Sequence, residues 1–415
     1  MTGPSTNRPT RVLLVCHYFP PEIGAPQARL SEMSATWAQD GAEVQVLTGF
    51  PNHPTGIIAE GYRGKRRMVE QRDGCEVIRT WLYATPNEGF VKKTLGHLSF
   101  MFSSILLGWS KVRKPDVIVV SSPTFFSIFS AWVLSKRFRV PMVVEVRDLW
   151  PGIFVELGVL TNKYLIWFLE RLELAAYKAA AAVVVVTDGF RQDLLKRGVP
   201  DRKIEVITNG VDLEFLQPGP PDSATRARLG VTGDRQLVVY IGAHGISHGL
   251  ASILEAARQL EDFAHFAFVG EGAQKAALVE KAAADGVTNV TFLPGVPRAQ
   301  VPDIIHSADI LLVPLRDIPL FETFIPSKMF EFLGAGGVVV GSVAGEAAEI
   351  LRSAGATVVP PEQPTALAEA IRELGADPDR RKRQAVEGRE YVEQHYDRRM
   401  LARRYLALLQ RTVRS

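Results

Sequence analysis

Cysteine, long apolar runs and low-complexity tracts are scarce in this chain. Only two of its 415 residues are cysteines, Cys16 and Cys75, too few for a disulfide framework or a cysteine-based zinc site. The first residues lack the apolar stretch of a signal peptide. With 47% hydrophobic and 22% charged residues, the composition excludes collagen-like, disordered and polytopic membrane classes. We therefore expect a globular protein of the reducing cytoplasm.

The charge of the chain is small overall but unevenly placed. The formal net charge is +3. Residues 89–115 hold five Lys/Arg and no acid, whereas residues 380–415 hold eleven Lys/Arg against four acids. The remainder is net acidic. Separate basic segments of this kind are typical of contact with an anionic surface.

Short apolar runs recur along the chain between helix-compatible segments. The predicted strands cover residues 11–16, 43–48, 117–120, 141–146 and 182–187, and then 236–241, 266–269, 290–293, 310–313 and 337–341. Such continuous runs are typical of parallel strands that are buried on both faces. The sequence predicts an α/β protein with two doubly wound parallel-sheet domains.

The length of the chain also indicates more than one domain. Pro, Gly and Asp concentrate at residues 210–223, which marks the boundary. We predict a flexible leader (1–10), a first domain (11–210), a second domain (211–390) and a C-terminal segment (391–415), with one long basic helix from Arg389 to Arg414. Open α/β sheets bind ligands at the carboxyl ends of their strands.

Glycine-rich turns follow the first strand of each predicted domain. Gly24 lies between the first strand and a helix, where backbone N–H groups can hold a phosphate; a plain tight turn is the alternative. In the second domain, Gly242, His244, Gly245 and His248 follow the strand directly. Glycines allow close approach of an anion, and a histidine can hydrogen-bond a phosphate oxygen.

A third turn, Gly270-Glu271-Gly272, resembles the start of a dinucleotide fingerprint. Lys275 stands where the third glycine would be. We interpret the segment as a strand-to-helix turn and not as an NAD site.

The most informative segment is Pro326-Ser327-Lys328 with Glu331 one turn later. Proline suits the first turn of a helix, and Lys328 and Glu331 share a helix face. They could form an ordinary surface pair. Their position at a strand end, before a second glycine turn at Gly345, favours a ligand that carries phosphates and hydroxyls, such as a nucleotide sugar.

Seven segments stand in an order that resembles the family 4 glycosyltransferases. They are HYFPPEIGAPQARL, TGFPNHPTG, VEVRDLWPG, ITNGVDLEFLQP, GAHGISHG, PSKMFEFLGAG and GEAAEI. Within the family, the chain is similar to the WbuB-like branch of amino-sugar and deoxysugar transferases from bacterial surface polysaccharide pathways. The resemblance covers about residues 11–410.

This resemblance implies a GT-B fold, in which two Rossmann-like domains face each other across a cleft and the last helix returns to the first domain. It implies retaining, metal-independent transfer of a sugar from a nucleotide diphosphate donor. Glu331 matches the glutamate that binds the donor ribose, and Phe292 to Val296 match the segment that meets the base. Gly345, Glu346 and Ala347 match the turn around donor sugar and diphosphate, and Gly24 matches the N-terminal phosphate loop. Glu22, His53, Arg147 and Asp148 fall on the sugar and acceptor side.

The chain also departs from the family pattern. Ala243 and His248 stand near the places of an Arg and a Lys that grip the diphosphate in most members. Lys328 and Arg316 are our candidates to supply that charge, and Ser327 places a hydroxyl beside Lys328 at the donor site. Thr323, next to Glu322, stands where many relatives have a second Glu, and Arg147 stands where many have a His. A front-face reaction, in which the leaving phosphate accepts the acceptor's proton, needs no separate base.

A growing negative charge on the leaving group can be stabilised by a metal, helix N-termini or basic side chains. The one Asp-x-Asp string, Asp377-Pro378-Asp379, is better interpreted as a helix cap than as a metal site. We therefore expect no metal and no cofactor, and assign catalytic roles to Lys328, Arg147 and Asp148.

Residues 94–109 form an apolar segment between basic ends. At 16 residues, the segment is shorter than the roughly 20 of a spanning helix. It is either a buried core helix or a helix at an anionic bilayer surface, helped by the basic tail. The second interpretation places the protein at the inner face of the plasma membrane.

The predicted activity is transfer of an N-acetylated amino sugar or deoxysugar, UDP-linked, to a glycan or polyprenyl-linked acceptor in cell-surface polysaccharide synthesis. A nucleotide-sugar 2-epimerase and a non-catalytic, membrane-associated partner of a transferase are the alternatives. We expect no nucleic-acid partner, because the basic tail has no stacking pattern.

Overall fold

A computed structural model describes residues 8–414, except 23, 54, 86–89, 123–124, 150, 153–154, 156–157 and 159. The chain forms two compact units: unit 1 runs to residue 208 and includes the residues from 399 onward, and unit 2 covers 209–398. Most of the leader predicted at 1–10 lies outside the described residues. Within its described part, Arg8 pairs with Asp116 at 2.7 Å.

Unit 1 contains an eight-stranded sheet of order β3-β4-β2-β1-β5-β6-β7-β8. The strands are β1 (Arg11–Val15), β2 (Glu43–Gly49), β3 (Arg67–Arg72), β4 (Cys75–Thr80), β5 (Val117–Ser121), β6 (Met142–Val146), β7 (Ala182–Val185) and β8 (Ile204–Val206). All neighbouring pairs are parallel except β3 and β4. The predicted apolar runs match β1, β2, β5, β6 and β7 to within two residues, whereas β4 and β8, which also pair in parallel, were not predicted.

The antiparallel β3–β4 hairpin was absent from the prediction. Asp73 and Gly74 form its turn with positive φ values of 49° and 79°, as a two-residue turn of type I′ requires. The hairpin extends the sheet beyond β2 without changing the parallel core.

Helices cover both faces of the sheet of unit 1. They are α1 (Ala25–Gln39), α2 (Phe90–Ser103), α3 (Phe125–Phe138), α4 (Lys163–Ala179), α5 (Asp188–Lys196) and α14 (Arg398–Arg414). A π-helical turn (Ser104–Gly108) and a 3-10 turn (Trp109–Lys111) continue α2. On one face, α1 and α14 pack together, with the Trp37 and Tyr405 rings 5.2 Å apart. On the other face, α3 packs over β5, between α2 and α4.

The long basic helix predicted from Arg389 to Arg414 is wrong, because the chain breaks at Tyr396–Asp397 into two helices. The amide of Val211 donates to the Tyr396 carbonyl at 2.9 Å, and the Arg398 amide donates to the Val211 carbonyl at 3.0 Å. This backbone pairing with the linker interrupts the helix. The preceding helix, α13 (Pro378–His395), belongs to unit 2, and α14 belongs to unit 1 except for its first residue.

Unit 2 contains a six-stranded parallel sheet of order β11-β10-β9-β12-β13-β14. Its strands are β9 (Gln236–Ile241), β10 (Ala264–Val269), β11 (Val290–Leu293), β12 (Ile310–Pro314), β13 (Val339–Ser342) and β14 (Thr357–Val359). The other helices are α6 (Ser223–Arg228), α7 (Leu250–Arg258), α8 (Lys275–Ala284), α9 (Val301–Ser307), α10 (Ser327–Gly334), α11 (Gly345–Ser353) and α12 (Pro364–Ala376). Strands β9 to β13 coincide with the five predicted runs to within two residues.

Both units are therefore Rossmann-like α/β layers, which confirms the predicted fold class. Among the described residues, no helix combines the length and the apolar character that crossing a bilayer requires.

Candidate functional site

The carboxyl edge of the unit 2 sheet is built from glycine loops in direct backbone contact. Gly242 follows β9 with φ +145°, and Gly270 follows β10 with φ +147°. A Cβ atom at Gly270 would overlap the carbonyl oxygen of Gly242, and one at Gly272 would overlap the backbone of His244. Only glycine permits this close approach. The two loops therefore form one closely packed floor.

Lys328 lies beside this floor, at the second residue of α10. Its Nζ atom is 4.0 Å from the centroid of the Tyr240 ring, and a Cβ atom at Gly242 would be 2.6 Å from Nζ. The ammonium is buried and has no hydrogen-bond partner within the described part of the chain. Burial lowers the pKa of Lys328 to about 7, and the charge of Glu331 opposes that shift. An unpaired cation at a helix N-terminus is a ready site for an anion.

Both histidines of the first loop are neutral at ordinary pH. Burial lowers the pKa of His244 to about 4 and that of His248 to about 3, and the positive charge of Lys328 contributes to both shifts. The side chain of His244 is fully buried, and its two ring nitrogens have no hydrogen-bond partner among the described residues. The Nδ1 atom of His248 lies 3.4 Å from the Pro314 carbonyl oxygen. The neutral His244 ring can therefore donate one hydrogen bond, whereas the single N–H of neutral His248 faces the Pro314 carbonyl and leaves Nε2 as an acceptor.

The loop that contains His244 and His248 also contains Gly245, and it is bound by the backbone of Arg316. Gly245 precedes a 3-10 turn at Ile246–His248, and the Arg316 amide donates to the Ser247 carbonyl at 3.0 Å. The guanidinium of Arg316 already has an ionic partner, because its Nε atom is 3.6 Å from a carboxylate oxygen of Glu362. Unlike Arg316, Lys328 has no carboxylate or hydrogen-bond partner for its charge among the described residues.

The N-terminus of α11 is fixed by a close contact at Gly345. Gly345 has φ +61°, and a Cβ atom there would overlap the carbonyl oxygen of Glu322. Glu346 is half-buried in the first turn, and Ala347 is fully buried behind it. Thus Glu322 meets the glycine turn through its backbone, and its side chain is exposed. The hydroxyl of Thr323 donates to the Leu320 carbonyl at 2.8 Å.

The remaining donor-side candidates are distributed along the same edge. Ser327 and Glu331 are half-buried on α10, and Val296 is half-buried in the loop that follows edge strand β11. All these positions follow the carboxyl ends of strands or begin the helices next to them. Their roles toward a ligand remain those that the resemblance implies.

The interpretation of Gly270–Gly272 as a strand-to-helix turn is confirmed. Lys275 donates from Nζ to the carbonyl oxygens of Gly270 and Leu293, each at 2.9 Å. Its ammonium therefore caps the ends of β10 and β11, where a third glycine would leave space for a dinucleotide. The predicted helix cap is confirmed as well, because the Asp377 carboxylate accepts from the Arg380 amide at 2.8 Å. Across the described ranges, no group of three His, Cys, Asp or Glu residues is arranged to hold a metal ion.

In unit 1, Glu22 joins two loops at the carboxyl edge of the sheet. Its carboxylate accepts from the amides of Asn52 (2.8 Å), His53 (2.9 Å) and Phe19 (3.2 Å). Burial raises the pKa of Glu22, and these amides oppose the shift. Glu22 thus positions His53, whose side chain is exposed, and is itself a loop-fixing residue. Gly24 precedes α1, whose first turn has no side-chain cap.

Arg147 and Asp148 follow β6, which lies two strands from β1 in the sheet. The amide of Arg147 donates to the Ser122 hydroxyl at 3.1 Å. Burial raises the pKa of Asp148, and the neighbouring charge of Arg147 opposes the shift. Glu22 follows β1 and His53 follows β2, so these acceptor-side candidates come from three different strands of the same edge.

Several residues around these sites escaped the sequence analysis. A cavity of about 30 Å³ is lined by, among others, His17, Tyr18, Asn52, His53, Tyr83 and His97. The His17 and His97 rings are 4.6 Å apart, and burial lowers the pKa of His17. His17 lies two residues after the end of β1, and this position is the one signal that could have identified it. The other residues come together only through the fold.

A buried ion pair between Arg29 and Glu145 was also missed. Arg29 Nε is 2.9 Å from Glu145 Oε1, and Arg29 also donates to the Ile207 carbonyl at 2.9 Å and the Thr208 carbonyl at 2.6 Å. The positive charges of Arg29 and Arg147 outweigh burial and lower the pKa of Glu145. The pair connects α1, β6 and the last residues of unit 1 before the linker.

The two Rossmann-like units are the architecture of a GT-B type α/β protein, and the family models agree. Residues 24–210 match the glycosyl transferase 4-like domain, and residues 222–391 match the glycosyl transferases group 1. The chain therefore belongs to the family 4-like glycosyltransferases, with one of these two domains in each unit.

Known proteins resemble the chain over nearly its full length. It is 25% identical over 407 residues to WcaI, a glycosyl transferase assigned to colanic acid biosynthesis in Escherichia coli (strain K12), covering 95% of this chain and 98% of WcaI. Sucrose-phosphate synthase from Thermosynechococcus elongatus matches with a TM-score of 0.72 at 19% identity, covering 97% and 98% of the two chains. Anabaena HepE, solved with UDP and glucose, matches with a TM-score of 0.72 at 17% identity, covering 97% and 99%. The two structures establish the shared fold.

Proposed function

We propose that the protein transfers a sugar from a nucleotide diphosphate donor to a glycan or polyprenyl-linked acceptor in cell-surface polysaccharide synthesis. The donor is UDP-linked and carries an N-acetylated amino sugar or a deoxysugar. Transfer proceeds with retention of the anomeric configuration and without a metal ion, at the cytoplasmic side of the cell envelope. The observation that carries the proposal is the buried, unpartnered ammonium of Lys328 at the N-terminus of α10.

The environment of Lys328 explains why a diphosphate suits this position. A buried cation without a counterion loses its hydration and gains little in return. The Tyr240 ring offers partial compensation at 4.0 Å. A diphosphate oxygen would supply the missing charge, and first-turn amides of α10 would donate to it. Binding of an anion beside Lys328 is therefore expected to be favourable.

The other donor contacts follow from their places on the edge. Glu331, on the same helix, is assigned to the ribose, and the loop at Val296 to the base. Gly345 to Ala347 are assigned to the sugar and diphosphate. Gly242, His244, Gly245 and His248 line the phosphate side as neutral hydrogen-bonding groups, whereas Arg316 would have to exchange Glu362 for a phosphate. Lys328 is accordingly the principal cation of the proposed site.

The proposed reaction is a front-face displacement. The bond between the anomeric carbon and the diphosphate oxygen breaks, and a bond from the same face to the acceptor hydroxyl forms. The proton of that hydroxyl passes to the leaving diphosphate oxygen, so atoms and charge balance without a protein base. Lys328 stabilises the negative charge that grows on this oxygen. Arg147, Asp148 and His53 are assigned to the acceptor side.

The relatives support the substrate class. WcaI is assigned to colanic acid biosynthesis, and HepE was solved in complexes with UDP and glucose and with UDP-glucose. The first agrees with a polysaccharide product, and the second with a UDP-sugar donor.

A donor screen tests the proposal. Purified protein is incubated with UDP-, GDP- and dTDP-sugars, with and without a polyprenyl-diphosphate-linked acceptor, and products are followed by NMR. We expect an acceptor-dependent product from a UDP-sugar with the donor's anomeric configuration. Conversion of UDP-N-acetylglucosamine to its 2-epimer without acceptor would identify an epimerase instead. A protein that binds no nucleotide diphosphate would be a non-catalytic partner.

A further inference from the structure

The outer surface of unit 1 over α2, α3 and α4 is unusually apolar. On α2 and the turns that continue it, the exposed side chains Leu95, Phe102, Leu106 and Trp109 are spaced by seven, four and three residues. This spacing places them on one side of the helix. Leu106 is 68% exposed and Phe102 is 55% exposed. The opposite side, with Phe100 and neighbouring residues, is buried. The core interpretation of residues 94–109 therefore fits that side, and the exposed side is the one to which the bilayer interpretation would apply.

Helix α3 continues this surface. Phe129 and Trp132 are exposed one turn apart, and their ring centroids lie 5.7 Å apart. Helix α3 packs against α2 and against α4. The guanidinium of Arg137 on α3 lies 5.3 Å from the centre of the Trp109 ring, which joins the exposed sides of α2 and α3.

Helix α4 adds the largest exposed aromatic set. Its buried side chains form one stripe, Leu169, Glu173 and Tyr177. Its first turns expose other large apolar side chains: Tyr164 (74%), Leu165, Trp167 (58%), Phe168 (54%) and Leu172. We call these exposed side chains of α2, α3 and α4 together the aromatic face. A helix on the surface of a soluble domain normally turns its large apolar side chains toward the core. Packing within unit 1 therefore does not account for the exposure of these side chains.

Basic residues flank the aromatic face. Residues 90–144 contain eight Lys/Arg and a single acid, Asp116, and Asp116 is paired with Arg8. The cations lie at the ends of α2 and α3, and Arg171 and Lys163 on α4 lie over the rings of Trp167 and Tyr164. Aromatic rings next to Lys and Arg are typical of the interfacial region of a bilayer.

The last helix of the basic tail, α14, lies away from this face. Helix α14 packs with α1 on the opposite side of the sheet, and Arg403 and Arg404 on it pair with Asp40 and Glu205 at 3.1 and 2.8 Å. The help that we expected from the tail at residues 94–109 therefore does not come from α14. Helices α3 and α4 take its place beside α2.

We propose that the aromatic face binds the surface of an anionic lipid bilayer, with the three helices lying in the interfacial plane. The excess of positive charge selects this occupant. Two copies of the face would bring like charges together, whereas anionic headgroups complement them. This surface is independent of the donor site, so it stands or falls separately from the proposed sugar transfer.

Vesicle flotation of the full chain tests the proposal. Vesicles of phosphatidylcholine alone and vesicles with phosphatidylglycerol are compared at low and high salt. We expect flotation with phosphatidylglycerol at low salt and at least a tenfold weaker partition with phosphatidylcholine alone or at high salt. The variant F102S/W132S/W167S, which removes three exposed aromatic side chains, should partition to phosphatidylglycerol vesicles at low salt at least tenfold more weakly than the wild type.

The matched control is V279S/V386S, which removes two exposed apolar side chains from unit 2. It should float like the wild type. Because both native cysteines are buried, an environment-sensitive dye can also be placed at F168C or, as a control, at V279C. A blue shift on vesicle addition is expected only at residue 168.

Three outcomes would overturn the proposal. The wild type stays in the soluble fraction with phosphatidylglycerol at low salt; the triple variant floats like the wild type; or the wild type forms a dimer that the triple variant abolishes, without vesicle binding. UDP binding is measured on the same samples. Vesicle binding without UDP binding would leave this inference intact and contradict the proposed function.

Discussion

The Nζ atom of Lys328 lies 4.0 Å from the centroid of the Tyr240 ring, and Tyr240 belongs to the strand that leads into the Gly242 loop. The strand, the glycine loop and the N-terminus of α10 thus meet around one buried ammonium. In our proposal, this ammonium binds the diphosphate in place of the Arg and Lys that the family resemblance leads us to expect in that loop, where Ala243 and His248 stand.

Replacing Lys328 by alanine should lower turnover by about 100- to 1,000-fold, because the charge that develops on the leaving phosphate loses its stabilising cation. Folding should be intact, since the change removes a buried, unpaired charge. Steady-state kinetics and thermal melts measure the two effects. The matched control is Lys281→Ala, an exposed lysine paired with Asp285, which should leave both unchanged. Near-wild-type turnover of Lys328→Ala would refute the catalytic role.

Nucleotide diphosphate binding should take up a proton above neutral pH. Burial lowers the pKa of Lys328 to about 7. In the free protein at pH 8, Lys328 is therefore neutral in most molecules. A bound diphosphate favours the ammonium form and raises its pKa. We expect an uptake of close to one proton at pH 8, falling toward zero at pH 6, where the free side chain is already charged.

Calorimetry in two buffers of different ionisation enthalpy measures this uptake. His244 and His248, with pKa values of about 4 and 3, stay neutral throughout that range and do not contribute. Lys328→Met should abolish the uptake. An unchanged uptake in this variant would assign the proton to another group.

Gly345→Ala should destabilise the protein more than the same substitution at another glycine with a left-handed φ. The substitution forces a φ of +61° on alanine and drives its Cβ into the Glu322 carbonyl. Gly286→Ala is the matched control, because Gly286 has φ +67° with no atom near its Cβ position. Urea unfolding should show a loss of about 1–2 kcal/mol for the control and a clearly larger loss for Gly345→Ala. Equal losses would mean that the contact with Glu322 is unimportant.

Arg29→Met should lower the free energy of unfolding by about 3–5 kcal/mol, because it leaves the Glu145 carboxylate buried without its nearest partner. The control is Arg403→Met, which breaks an ion pair whose arginine is 64% exposed and should cost below about 1 kcal/mol. Urea unfolding of both variants compares them. A loss for Arg29→Met no larger than that of the control would show that the buried pair is dispensable.

The fold was predictable wherever hydrophobic burial alone decides it. Strands β9 to β13 are continuous apolar runs, and their bounds follow from the sequence. The β3–β4 hairpin had a signal in Asp73-Gly74, but both of its strands mix charged and apolar residues and lack a continuous apolar run. The break at Tyr396–Asp397 had no local signal, because it is caused by pairing with Val211, which is distant in sequence.

The site was predictable in its residue types and not in its electrostatics. The Pro326–Lys328 segment identified the correct helix N-terminus, yet a surface pair of Lys328 and Glu331 fitted the sequence equally well. Burial against Tyr240 and the closeness of Gly242 separate the two interpretations, and both depend on tertiary packing. The same holds for Arg316, whose pairing with Glu362 across 46 positions is invisible in sequence.

Calorimetric titration of the wild type and of Lys328→Met with UDP, GDP and dTDP tests the central claim most directly. The account predicts that the wild type binds UDP in preference to GDP and dTDP, and that Lys328→Met binds UDP at least tenfold more weakly while melting at the same or a higher temperature. Equal UDP affinity of the two proteins, or no binding of any of the three nucleotides by the folded wild type, would contradict it.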